Sequence, residues 1–202
     1  MAITTYAELQ TAISDRLARV DLTATVLQEF IALAEAEMQR ILKTLDQETK
    51  SAAFSITGEY VAVPTGLQAV RSFVLNTAQR TPLAQMTSDA QSTIYKTAAK
   101  PLFYEVVGAN FRFAPVPDAT YAATLVYLAK FDPLSVSVTT NWLLAAHPDA
   151  YLFGALKHAC EKTQDYGLSD RYDGKFREII GRIQSQSNKS RWSGPGMQVR
   201  VA

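Results

Sequence analysis

The sequence predicts an α+β fold: a helical bundle of two N-terminal and two C-terminal helices, an inserted antiparallel β-rich region and an extended C-terminal tail. Three observations carry this expectation. Apolar residues between Thr5 and Asp46 recur every three or four positions, the repeat of an amphipathic helix. Between Ser51 and Phe131 the repeat falls toward two, as in strands. From Asn141 the helical repeat returns and continues to Gln184. The expected organisation is one domain over 1–202, with N-terminal helices over 5–46, the β-rich insertion over 51–131, C-terminal helices over 141–184 and a flexible C-terminal arm over 185–202.

Thr5-Tyr6-Ala7-Glu8 is a capping box, in which the threonine hydroxyl and the glutamate carboxylate each satisfy a free N–H of the first turn. A helix follows to about Arg19, with Leu9, Ile13 and Leu17 on one stripe. Asp21-Leu22-Thr23 breaks it and starts a second helix near Ala24. On that helix Leu27, Ile31, Ala34, Met38, Ile41 and Leu45 share one face, while Glu29, Glu35, Gln39, Arg40 and Lys43 take the opposite, solvated face. Such spacing also suits a seam between chains. It stops after about three heptads, so packing within one chain is the preferred reading.

The β-rich region opens with a hairpin, Ala53 to Ile56 and Glu59 to Val63 around Thr57-Gly58. Ala69 to Leu75 and Arg80 to Leu83 flank Asn76-Thr77, and Ser88 to Tyr95 reads as a short helix. Leu102 to Val107 and Phe111 to Ala114 flank Gly108-Ala109-Asn110, a second hairpin signal. Tyr121 to Phe131 is apolar on both faces, which places it centrally in its sheet.

Asn141 to Cys160 reads NWLLAAHPDAYLFGALKHAC and anchors the C-terminal half. Pro148 fits a helical first turn, and Tyr151, Leu152, Ala155, Leu156 and Ala159 form one face. With Trp142, Leu143 and Leu144, they are expected to lock the insertion onto the helices. Ser169-Asp170 can cap a last helix with Tyr172, Phe176, Ile179, Ile180 and Ile183 on its apolar side. Gly174 and Gly181 align on the other side, and each costs a helix about 1 kcal/mol against alanine. They read either as tolerated surface glycines or as a place where a neighbouring subunit's backbone approaches. From Gln184 onward the chain is polar and rich in serine, yet carries Trp192, Met197, Val199 and Val201 beside Lys189, Arg191 and Arg200. Terminal disorder competes there with folding onto a partner, for example by adding a strand through Met197 to Val201.

The 202 residues, 48% hydrophobic and 19% charged, suffice for a sizeable core. A net charge of +1 argues against a strongly basic nucleic-acid binder. The single cysteine excludes an intrachain disulfide. The start MAITTYAELQ lacks the pattern of a signal peptide, and no apolar run is long enough to span a bilayer, so a soluble protein with no membrane partner is expected.

Signatures of chemistry are missing: no phosphate-binding glycine loop, no C-x-x-C, no H-E-x-x-H and no G-x-S-x-G. His158 and Cys160 would diverge by about 200° on a helix, and His147 and His158 would lie about 16 Å apart. No catalytic residue, metal site or cofactor is therefore expected. Glu35 and Glu37 also diverge, and Glu37 is placed to pair with Arg40. Phe103, Tyr104, Phe111 and Phe113 could stack on single-stranded bases, but with only Arg112 among them they read as sheet core.

Taken whole, the chain resembles the tailed-bacteriophage head-to-tail adaptor (connector) family. The resemblance is carried by Thr5-Tyr6-Ala7-Glu8-Leu9, Asp21-Leu22, Phe30-Ile31-Ala32-Leu33-Ala34-Glu35, Val63-Pro64 and Phe111-Arg112-Phe113-Ala114-Pro115. Asn141-Trp142-Leu143-Leu144 and the run from Pro148 to Leu156 are its strongest part. It implies a non-enzymatic virion neck protein that meets its partners in the host cytoplasm during assembly. Such a protein forms a homo-oligomeric ring, usually a dodecamer, under the portal protein and offers a platform to tail, nozzle or stopper proteins. Double-stranded DNA passes through its lumen without sequence-specific binding. The resemblance implies portal contacts from the C-terminal arm, where Lys189, Arg191, Trp192, Met197, Val199 and Arg200 are the candidates. Gly174 and Gly181 are candidates for a helix contact between subunits. The alternatives are a tail-completion or terminator protein and, from another class, a single-stranded nucleic-acid-binding module.

Overall fold

The computed structural model describes residues 3–18, 22–87 and 97–192. The helix expected from Ser88 to Tyr95, and Met197, Val199 and Arg200 of the arm, lie outside the described residues. The fold is mixed α and β, and its described part divides into two compact units, Gln47–Lys130 and the remainder.

In the helical unit the capping box forms as its residues dictate. The Glu8 N–H donates to Thr5 Oγ1 at 3.3 Å, and the Thr5 N–H donates to Glu8 Oε2 at 2.9 Å. Helix α1 spans Tyr6–Leu17 and buries Tyr6, Leu9 and Ile13. Helix α2, Ala24–Ile41, buries Leu27, Phe30, Ile31, Ala34 and Met38 as its period requires. The predicted stripe ends one turn early. Leu42 turns into extended backbone and is fully buried, whereas Ile41 stays 39% exposed.

Asn141 caps α3, Trp142–Ala146, by accepting the Leu144 N–H at 2.9 Å. Pro148 then opens α4, Pro148–Lys162, in its first turn. Helix α4 packs on α1, α2, α3 and α5. The tightest approach is at Gly154, where an added Cβ would lie 3.0 Å from Ala34 Cβ and 3.1 Å from Phe176 Cε2. Any larger residue would push α2 or α5 away.

Helix α5, Tyr166–Trp192, is longer at both ends than its sequence suggests. Its start is set by Asp165, whose carboxylate accepts the Leu168 N–H at 3.1 Å, instead of by Ser169-Asp170. At the other end the flexible arm was expected from residue 185. That boundary is corrected: the helix continues to Trp192, and two of its polar side chains close the end of α2. Gln184 Nε2 donates to the Ile41 carbonyl at 2.9 Å, and Ser187 Oγ accepts the Leu45 N–H at 2.9 Å. Free groups past a helix end need such partners.

The described residues of the second unit form two four-stranded sheets. One is ordered β1 (Glu48–Ile56), β8 (Tyr121–Ala129), β3 (Leu67–Leu75), β4 (Thr81–Pro82). The other is ordered β2 (Tyr60–Ala62), β7 (Asn110–Ala114), β6 (Phe103–Val107), β5 (Ala84–Gln85). Neighbours are antiparallel except β5 and β6. Strand β8 is flanked on both sides, and β6 and β7 turn at Gly108, whose φ of 60° suits glycine.

The first expected hairpin does not form: β1 pairs with β8, and β2 pairs with β7 in the other sheet. The inward apolar residues on both sides of Thr57-Gly58, Phe54 and Ile56 before it and Val61 and Val63 after it, reach one core from two sheets. Phe73 is central to that core, with ring centroids 5.4 Å from Tyr104, 5.3 Å from Phe111 and 5.6 Å from Phe113. The contacts with Phe111 and Phe113 are edge-on and that with Tyr104 is tilted, and such pairs add to plain burial. Tyr104, Phe111 and Phe113 are buried and not presented for stacking on bases.

Candidate interaction site

The polar groups of the helical unit converge on Glu35. The sequence placed it on the solvated face of α2, but it is only 4% exposed. Its Oε1 accepts the Leu134 N–H at 2.8 Å and the Tyr151 hydroxyl at 3.0 Å. Asn141 Nδ2 donates to the same tyrosine oxygen at 2.7 Å and to the Asp132 carbonyl at 2.9 Å. Burial raises the Glu35 carboxyl above its ordinary range, partly offset by the two hydrogen bonds it accepts. Burial and the neighbouring carboxylate push the Tyr151 phenol far up. Tyr6, from α1, is raised by burial and then by Glu35; its enclosed hydroxyl stands near Gln10 but outside good hydrogen-bond geometry. At about 100° per residue Glu35 lies about 40° from Ile31, at the border of the apolar stripe and not opposite it, so the period left its burial open and the placement on the solvated face is corrected.

Beside the network runs a cleft of about 510 Å³. Thr5, Tyr6, Ala7 and Gln10 form one side, Ala24, Thr25 and Gln28 the second, and Val136 and Thr139 the third. Among the described residues none lining it is charged. Val136 stands at its edge, 89% exposed.

A second polar cluster ties α2, α4 and α5. Lys157, 5% exposed, lies 2.6 Å from Glu37 Oε2 and 3.0 Å from Asp173 Oδ1, with its ammonium 4.7 Å from the Phe176 ring centroid. Glu37 therefore reaches Lys157, while Arg40 Nε donates to the Ala36 carbonyl. His158 Nδ1 is 3.2 Å from Glu161, and the buried Cys160 thiol is raised by burial and then by Asp165. Among the described residues no three of His, Cys, Asp and Glu gather as metal ligands. Among them, too, no helix is long and apolar enough to cross a membrane.

Gly174 and Gly181 lie exposed on α5, and a Cβ on either would meet nothing within 4 Å. Gly167, seven residues earlier on the same side, is equally open. Lys189 and Arg191 occupy the last turn of α5, where cations offset the helix dipole. Trp192 is the last described residue of α5.

A family model described as SU10 adaptor protein matches residues 4–199, which takes in both units. The chain belongs to the SU10 adaptor family. This is a phage head-to-tail adaptor family, so the chain is a bacteriophage adaptor, a structural component of the virion neck. Such proteins are not a class of enzymes. Comparison with curated proteins gives no match.

Proposed function

We propose that this adaptor assembles with copies of itself into a ring beneath the portal, extends the DNA channel and offers a docking platform to tail components. The observation that carries the reading is the family match over residues 4–199. Closing a ring head to tail needs two different patches on each subunit. The open glycine face of α5 around Gly174 and Gly181 supplies a smooth surface for one of them. The C-terminal arm, with Lys189, Arg191, Trp192, Met197, Val199 and Arg200, is the proposed portal anchor. Double-stranded DNA is proposed to pass through the lumen without being read.

Co-sedimentation of the full chain with purified portal rings tests the proposal. The expected result is a fixed ratio of chain to portal in the pellet. Chain left in the supernatant, with portal alone below, overturns it.

A further inference from the structure

Residues Phe131–Asn141 lie as a strap across the helices of their own unit. Gln39 Nε2 holds the Phe131 carbonyl at 3.1 Å, Asn141 Nδ2 holds that of Asp132 at 2.9 Å, and the Tyr6 N–H holds that of Thr139 at 2.7 Å. The remaining attachment, Leu134 N–H to Glu35, is the buried one. Beyond it the strap makes a self-braced turn: the Ser135 N–H donates to the Val138 carbonyl at 2.9 Å, and the Val138 N–H donates to Ser135 Oγ at 3.0 Å. That turn carries Val136 out into solvent and, with Thr139, forms a wall of the uncharged cleft.

We infer that the strap is a latch, with Glu35 as its catch, and that releasing the catch lets the cleft wall move while the helices stay folded. Two features separate a latch from ordinary packing. Most of the strap's side chains are exposed, only Phe131 and Leu134 being buried, so little apolar burial holds its middle once Leu134 is free. The turn keeps its own hydrogen bonds and can travel as a unit. The inference does not rest on the adaptor reading and stands or falls separately from it.

Hydrogen exchange on the full chain tests it. In Glu35→Ala the Leu134 amide exchanges at least tenfold faster, while the Val138 amide, held inside the turn, and those of Leu156 and Ala159 on α4 change less than twofold. Glu35→Gln keeps an acceptor oxygen and restores slow exchange. Should Glu35→Ala fold poorly, Tyr151→Phe, which removes one bond to the catch, speeds Leu134 at least threefold and leaves Leu156 unchanged. Spin labels on Gln28→Cys and Val136→Cys show a distance distribution that broadens with Glu35→Ala and stays narrow with Glu35→Gln. An unchanged Leu134 amide, or acceleration of Leu156 equal to that of Leu134, overturns the latch.

Discussion

The Glu35 carboxylate on α2 accepts the Tyr151 hydroxyl of α4 at 3.0 Å, joining residues 116 positions apart at a site nearly closed to water. A buried carboxylate held by two neutral donors costs stability when ionised.

That relationship sets a pH dependence. The Glu35 pKa is raised in the folded chain from 4.5, so the folded state binds the proton more tightly than the unfolded one. Its contribution to stability is full below the unfolded value and is lost as pH rises through the folded value. Tyr6 and Tyr151 are the titratable groups facing it, and both are raised, hence neutral, in that window. Glu35→Gln removes the loss. Thermal unfolding should show the variant gaining on the wild type as pH rises above the carboxylate range, with the difference closing in acid.

Glycine positions separate by what surrounds them. Gly154→Ala places a methyl 3.0 Å from Ala34 Cβ, and overpacking of about 1–3 kcal/mol exceeds the propensity gain of about 1 kcal/mol. Gly174→Ala and Gly181→Ala meet open space, so each should stabilise the isolated chain by about 1 kcal/mol in denaturant titration. If α5 is the contact between subunits, the same two substitutions weaken self-association, which sedimentation reads directly.

Removing the Lys157 ammonium takes from Glu37 its partner at 2.6 Å, while Asp173 keeps Arg177, whose Nε lies 2.7 Å from its Oδ2. Breaking a fully buried pair costs about 3–5 kcal/mol. Both carboxylates keep about a quarter of their surface in water, so Lys157→Met should cost about 2 kcal/mol in chemical unfolding, less than a fully buried pair loses. Adding Glu37→Gln should recover most of it, while Asp173, still paired with Arg177, is left in place.

The C-terminal boundary makes a further prediction. Cutting at Gln184 removes the partners of the Ile41 carbonyl and the Leu45 N–H, so the truncated chain loses stability, by about 1 kcal/mol for each bond. Cutting after Trp192 leaves both bonds and so spares that loss. The second truncation is therefore the one that tests the arm in portal docking.

The elements that were legible in the sequence are those fixed by local chemistry. Thr5 and Glu8 announce the start of α1, Pro148 the first turn of α4, and the alternation through Tyr127 a central strand. What was not legible depends on partners distant in the chain. Glu35 is buried only because Leu134 and Tyr151 supply donors, and Ser187 is helical in the company of Leu45. The Thr57-Gly58 turn looks like a hairpin until β8 and β7 take its two strands into different sheets. Gly154 carries the close approach within the chain, which no spacing of glycines in the sequence marked.

Imaging portal rings after incubation with the full chain tests the adaptor assignment most directly. The account predicts an added ring of density, concentric with the channel, into which both units fit. Portal rings that emerge bare from the same mixture contradict it.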